Sequence, residues 1–168
     1  SFSGTLRMRL DRPLTAAEVG EVAGIHRLLG REKDCFVRLN TGCFDLEMCR
    51  GTAQGVGSSK WGLRHFRCLQ DNVELLPSGN NAIGGFYGPF FTPENGLINP
   101  PEHTVVDIEI VEQGPVYHHY RMRGAIPDGL LPELRGKRFS IDWKFSWNTP
   151  WFQRRYWVDD FSTVINGR

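Results

Sequence analysis

The stretch VYHHYRMRG, residues 116–124, sets two adjacent histidines between tyrosines and follows them with two arginines. An imidazole exchanges a proton near neutral pH, and a phenol can donate a hydrogen bond to a developing oxyanion, so these residue types suit acid–base chemistry. On an extended strand successive side chains point to opposite faces, which puts His118 with Tyr120 and His119 with Arg121. Together with the residues before it, TVVDIEIVEQGPVYHHYRMRG predicts a hairpin turning at Gln113-Gly114-Pro115. That turn sets Ile110 opposite His118, Ile108 opposite Tyr120 and Val106 opposite Met122, an apolar face. The reverse face holds Glu109 with His119 and Asp107 with Arg121. A slip of two residues changes the partners but leaves each residue on its face.

His118 is the sharper catalytic candidate. Burial on the apolar face would lower its pKa and keep it neutral, as a general base, with Tyr120 as oxyanion or orientation donor. His65, Phe86, Phe90, Trp143 and Trp147 are the side chains assigned to the wall of such a pocket. The plain alternative is a core histidine satisfied by Tyr120 or by a carbonyl. His119, Asp107, Glu109 and Arg121 form an alternative catalytic face; read plainly, they are cross-strand charge pairs worth roughly a few tenths of a kcal/mol each. Metal ligands could be gathered from His65, His103, His118 and Glu47, but no HxH, HxxxH or HxxE spacing joins them. No metal and no cofactor are therefore expected. There is no GxSxG, no cysteine in an activating context, and GNNAIGGFYG leads into loop rather than into a phosphate-binding helix.

Strands must position these residues. KRFSIDWKFSW alternates strictly, with Phe139, Ile141, Trp143, Phe145 and Trp147 on one face and Ser140, Asp142 and Lys144 on the other. With the 104–124 hairpin and WFQRRYWVDDFSTVI it gives a four-strand antiparallel meander over about 104–165. Earlier, DCFVRLNTGCFDLEMC reads as a hairpin over about 35–49 with Thr41-Gly42 as its loop. Val37 then faces Leu46, Leu39 faces Phe44, Cys35 faces Met48, and Arg38 pairs with Asp45. That register sends Cys35 and Cys49 to opposite faces, so no disulfide is expected there. WGLRHFRCLQDNVELL supplies another strand or two, with His65 beside Leu63 and Leu69. PLTAAEVGEVAGIHRLLG predicts a helix over about 15–29: Thr15 and Glu18 form a capping box, Leu14 and Val19 a hydrophobic staple, and His26 stands near the last turn. Residues 77–103 are dense in Gly, Pro and Asn yet hold Phe86, Tyr87, Phe90 and Phe91, which fits a lid over a pocket or an arm for a partner.

The pattern is α+β, predominantly antiparallel β, in a single domain of 168 residues. A curved sheet closing into a barrel or cone (lipocalin-like or NTF2-like in architecture) or a jelly-roll sandwich would accommodate it, with the helix across one end. Twenty basic and 19 acidic residues leave a charge of +1 with no clustered basic run, which argues against nucleic acid as partner. No apolar run approaches the ~20 residues that span a bilayer, so no membrane partner is expected. The ten residues SFSGTLRMRL carry no apolar leader, and with unpaired cysteines they make a cytoplasmic protein the expectation. An aromatic fraction of 12% suits a ligand pocket, and together with near-zero charge it suits a homodimer or a larger protein partner. The function expected is a cofactor-independent lyase, isomerase or cyclase acting on a small apolar or aromatic molecule in a β-barrel pocket. The alternative is a non-catalytic ligand-binding module or accessory subunit of a larger enzyme.

Overall fold

The structure is a computed structural model that describes residues 23–52, 59–76, 91–92, 96–97, 105–125 and 135–159. Among these residues every regular element is a strand: β1 (His26–Leu28), β2 (Cys35–Asn40), β3 (Phe44–Cys49), β4 (Gly62–Cys68), β5 (Val73–Glu74), β6 (Phe91–Thr92), β7 (Gly96–Leu97), β8 (Asp107–Gln113), β9 (Tyr117–Ala125), β10 (Arg138–Ser146) and β11 (Phe152–Val158). Antiparallel pairing gathers β1 to β5 into one sheet and β8 to β11 into a second, each in sequential order, with β6 and β7 as a separate ribbon. Short turns make neighbours in sequence neighbours in the sheet.

The two large sheets pack face to face. Leu39, Leu46, Met48 and Leu63 of the first, and Tyr120, Met122, Ile141 and Trp143 of the second, are fully buried in one core. Rings meet across the gap: Trp61 stacks on Phe139 at 5.2 Å, Phe66 meets Phe152 at 5.6 Å, and Phe36 meets Tyr120 at 6.2 Å. Each such side chain contributes about 1.5–3 kcal/mol on leaving water, which offsets the entropy of ordering the strands. Backbone bonds tie the sheets at their ends, from Val106 N to Arg50 O at 3.0 Å and from Asn148 N to Thr41 O at 2.7 Å.

Several expectations are corrected. The described strands form no closed barrel: each sheet ends in edge strands, and large inward side chains fill the space that a hollow barrel would leave. Nor does either sheet contain the non-sequential neighbours of a jelly roll. Most of the helix placed at 15–29 lies outside the described residues, but His26–Leu28 is a strand paired with Leu39 and its neighbours. Tertiary pairing wins over the helical pattern there. Ile25 N donates to Pro115 O at 2.7 Å, and a Cβ on Gly24 would stand 2.7 Å from that oxygen, so the close approach needs glycine. The only helix expectation is thus unsupported, and no described helix is long and apolar enough to cross a membrane.

Both hairpins keep their faces but shift their partners by two residues. Leu39 pairs with Leu46 and Val37 with Met48, because the loop holds three residues, 41–43, with Gly42 at φ 88°. Arg38 still reaches Asp45 diagonally, at 2.6 Å. In the second hairpin Ile110 pairs with Tyr120, Ile108 with Met122 and Glu109 with Arg121. Three bulges then break the alternation, at Phe36, Arg64 and Val111. An extra residue reverses the face of everything beyond it. The first bulge brings Cys35 opposite Cys49, the second sets His65 opposite Glu47, and the third sets Gln113 opposite His118. The cysteines expected on opposite faces are therefore ladder partners. All four cysteines are free thiols in the structure.

Candidate functional site

His118 and Tyr120 lie where the sequence placed them, on the face towards the first sheet, opposite Phe145 and Trp143. His118 is 2% exposed, and its Nδ1 is 2.7 Å from the Tyr120 hydroxyl. Gln113 Nε2 donates to the same hydroxyl at 3.4 Å. Burial pushes the Tyr120 phenol up to about 12, so it keeps its proton near neutrality, and the imidazole tautomer sets which partner donates in its hydrogen bond with His118 Nδ1. Burial also lowers the His118 pKa, against a hydrogen bond to the Gly114 backbone that favours protonation, so the imidazole is neutral near pH 7. A recess of about 260 Å³ opens beside it, between Arg27, Gln113 and Pro115.

Of the other residues assigned to that pocket, the described ones, His65, Trp143 and Trp147, are not gathered here. Trp143 is fully buried core. Strand β10 ends at Ser146, so Trp147 stands in the turn beyond it, half-buried, with its ring 6.1 Å from His26. Trp147 N bonds Val116 O at 2.9 Å, which starts that turn. His65 is on the far face of the first sheet, 2.7 Å from Glu32. Phe86, Phe90 and His103 lie outside the described residues.

The larger recess is on the outer face of the second sheet, with a volume of about 510 Å³. Two cross-strand rows line it: Arg121–Asp142–Arg155 and Arg123–Ser140–Trp157. Arg138 and Tyr156 complete its rim. At the floor, Arg121 Nε donates to Asp142 Oδ1 at 2.7 Å, and His119 Nε2 stands 3.1 Å from the same oxygen. Burial works against ionisation of Asp142, but the Arg121 hydrogen bond and the His119 contact outweigh it and hold the carboxyl below the usual carboxylate range. Arg123 pairs with Glu109 at 2.8 Å, and Arg138 Nε lies 3.7 Å from Asp159. Arg155 is exposed, and among the described residues its side chain makes no ion pair or hydrogen bond. Trp157 beside it is 55% exposed. Gly124 lets the Phe139 ring lie under one end, since a Cβ there would collide with the ring.

Of the charged face proposed from sequence, Arg121 lines this recess and His119 supports its floor, while Glu109 anchors Arg123 from outside it. Asp107 pairs in register with Arg123. Arg123, Arg138, Asp142, Arg155 and Trp157 were not singled out. The signal for Asp142 was its place on the polar side of the alternating β10 pattern.

The outer face of the first sheet is polar as well, but closed. Glu47, fully buried, accepts the backbone N–H groups of Arg31 at 2.9 Å and Glu32 at 2.7 Å. Asp45 is held by Arg31 and Arg38 at 2.8 and 2.6 Å, and the Arg38 hydrogen bond lowers its pKa against burial. Arg64 bridges Asp34 at 2.9 Å and Glu32 at 3.4 Å. Among the described residues no group of His, Cys, Asp and Glu side chains is arranged to hold a metal ion.

Comparison with protein-family models, curated proteins and solved structures finds no match to this chain. The chemistry of the two recesses is what carries a functional reading.

Proposed function

We propose that this chain is a non-catalytic binding module, and that the groove on its second sheet takes a small ring-bearing carboxylic acid. The observation that carries this is the 510 Å³ recess lined by four arginines beside an exposed indole. A guanidinium offers a planar fork of donors that matches a carboxylate, and an indole face covers the flat or apolar side of a ring. The volume falls within the range of small-molecule sites. Asp142, Glu109 and Asp159 hold three of the guanidiniums in place, which lowers the ordering cost of binding. Arg155 is left to meet the ligand's charge. The small aromatic partner expected from sequence thus gains an acid group. Because Asp142 is spent on holding Arg121, the floor is better suited to binding than to proton transfer.

Titration calorimetry of the chain with benzoate and glucuronate, against neutral benzamide and glucose, tests the reading. The acids should bind and the neutral rings should not, and binding should weaken as salt rises. Equal binding of neutral and acidic rings, or binding indifferent to salt, would overturn it.

A second reading is acid–base catalysis of the lyase, isomerase or cyclase type at the His118–Tyr120 pair. The 260 Å³ recess beside a neutral imidazole favours it. Its signature is loss of turnover in His118→Gln while the groove's ligand still binds.

A further inference from the structure

We propose that Cys35 and Cys49 are the two ends of a cross-strand disulfide that forms within the folded chain when it meets a small-molecule disulfide. The bulge at Phe36 makes these residues ladder partners at the end of the β2–β3 hairpin. Opposed residues of an antiparallel ladder have Cα atoms about 4.5–5.5 Å apart, inside the roughly 4.4–6.8 Å that a disulfide spans. Both thiols lie on the outer face with Glu47: Cys49 Sγ is 3.9 Å from Glu47 Oε1, and a Cβ on Gly30 would meet both Cys35 Sγ and that same oxygen. The other two thiols have different surroundings, Cys43 towards Asn148 and Cys68 towards Asp71.

The chemistry balances with oxidised glutathione as oxidant. Cys35, the partly exposed member, gives up its proton and attacks one sulfur, releasing one glutathione thiol. The buried Cys49 then attacks the Cys35 sulfur of the mixed disulfide, forms the Cys35–Cys49 bond and releases the second glutathione. Two protein thiols are oxidised and one disulfide is reduced. Burial, with the Glu47 carboxylate next, pushes the Cys35 thiol up to about 12, so little thiolate is present near neutrality. The reaction is therefore slow at pH 7, and its rate should rise about tenfold per pH unit between pH 7 and 9.

The test is incubation of the reduced 168-residue chain with oxidised glutathione, alkylation, and peptide mass spectrometry without reduction. The result expected is a linked Cys35–Cys49 peptide lighter by two hydrogens, appearing with that pH dependence and absent from Cys35→Ser. A chain that still carries glutathione on Cys35 when the reaction has stopped advancing, with Cys49 alkylatable after unfolding, would overturn the proposal. So would linkage of either residue to Cys43 or Cys68, or a rate that does not change with pH. The wild-type measurement decides the matter even if Cys35→Ser fails to fold.

Discussion

The outer faces of the two sheets are built from the same residue types and end in opposite states. On the first sheet, Arg31, Arg38 and Arg64 each close on a carboxylate, and Glu47 is spent on two backbone amides of the 31–32 turn, out of contact with water. On the second, Arg121, Arg123 and Arg138 are anchored on carboxylates, but the rows open into a recess, and Arg155 has no charged partner among the described residues. A polar cluster whose charges are all paired internally, even with a single buried donor such as Arg64 Nε left without an acceptor, stabilises or specifies a fold. One with pinned donors and an unspent charge beside an exposed ring is prepared for something else. The count of charges does not separate the two faces. Satisfaction does.

The largest effect expected is on the closed face. Glu47→Ala strands two buried backbone N–H groups and should lower stability by about 2–4 kcal/mol in urea denaturation, while Glu47→Gln, which keeps an acceptor, should cost less. If Glu47→Ala were neutral, the closed face would not be structural and the contrast would fail. Gly124→Ala comes next. Its Cβ must displace the Phe139 ring, at about 1–3 kcal/mol, and because both residues line the groove binding of the acid should weaken too. Arg155→Gln should reverse the pattern of Glu47→Ala. Its stability should stay within about 0.5 kcal/mol, because among the described residues no partner is lost, while affinity for the ring-bearing acid should fall about tenfold or more. A calorimetric titration and a melt on the same sample read both numbers.

The smallest effect is in pH. His118 has a lowered pKa in the fold, so the unfolded chain takes up its proton first as acid is added. The stability that the neutral buried imidazole provides is full above about 6.5 and is lost as pH falls through its lower folded value. Asp45 and Asp142 are lowered as well, so their contribution is full above 3.8 and disappears below it. Denaturation between pH 7 and 3 should show both declines, and His118→Gln should remove only the upper one. An unchanged upper decline in that variant would mean that His118 is not the group.

The sequence is most legible where alternation runs unbroken. Phe139, Ile141, Trp143 and Phe145 all point into the core as the pattern required, and the antiparallel pairing of both hairpins followed from their faces. It failed at single inserted residues. Phe36, Arg64 and Val111 each add one residue to a strand, and apolar periodicity carries no sign of such an insertion. The residues turned over by those bulges were among those of most chemical interest: Cys35, His65 and Gln113. The groove was half legible. Its polar face could be read from Ser140 and Asp142, but the depth of a face depends on sheet twist and on what stands at its edges, which β11 decides with Arg155 and Trp157. The expected helix shows a different limit, since a capping box is a local preference that pairing across the sheet can override at His26–Leu28.

The most direct test of the groove is an amide NMR titration of the chain with glucuronate. Shifts should concentrate at Arg121, Arg123, Ser140, Arg155 and Trp157, saturate together, and be lost in Arg155→Gln while the rest of the spectrum stays folded. Shifts centred instead on His118, Gln113 and Gly114, or none at all up to saturating ligand, would contradict the account.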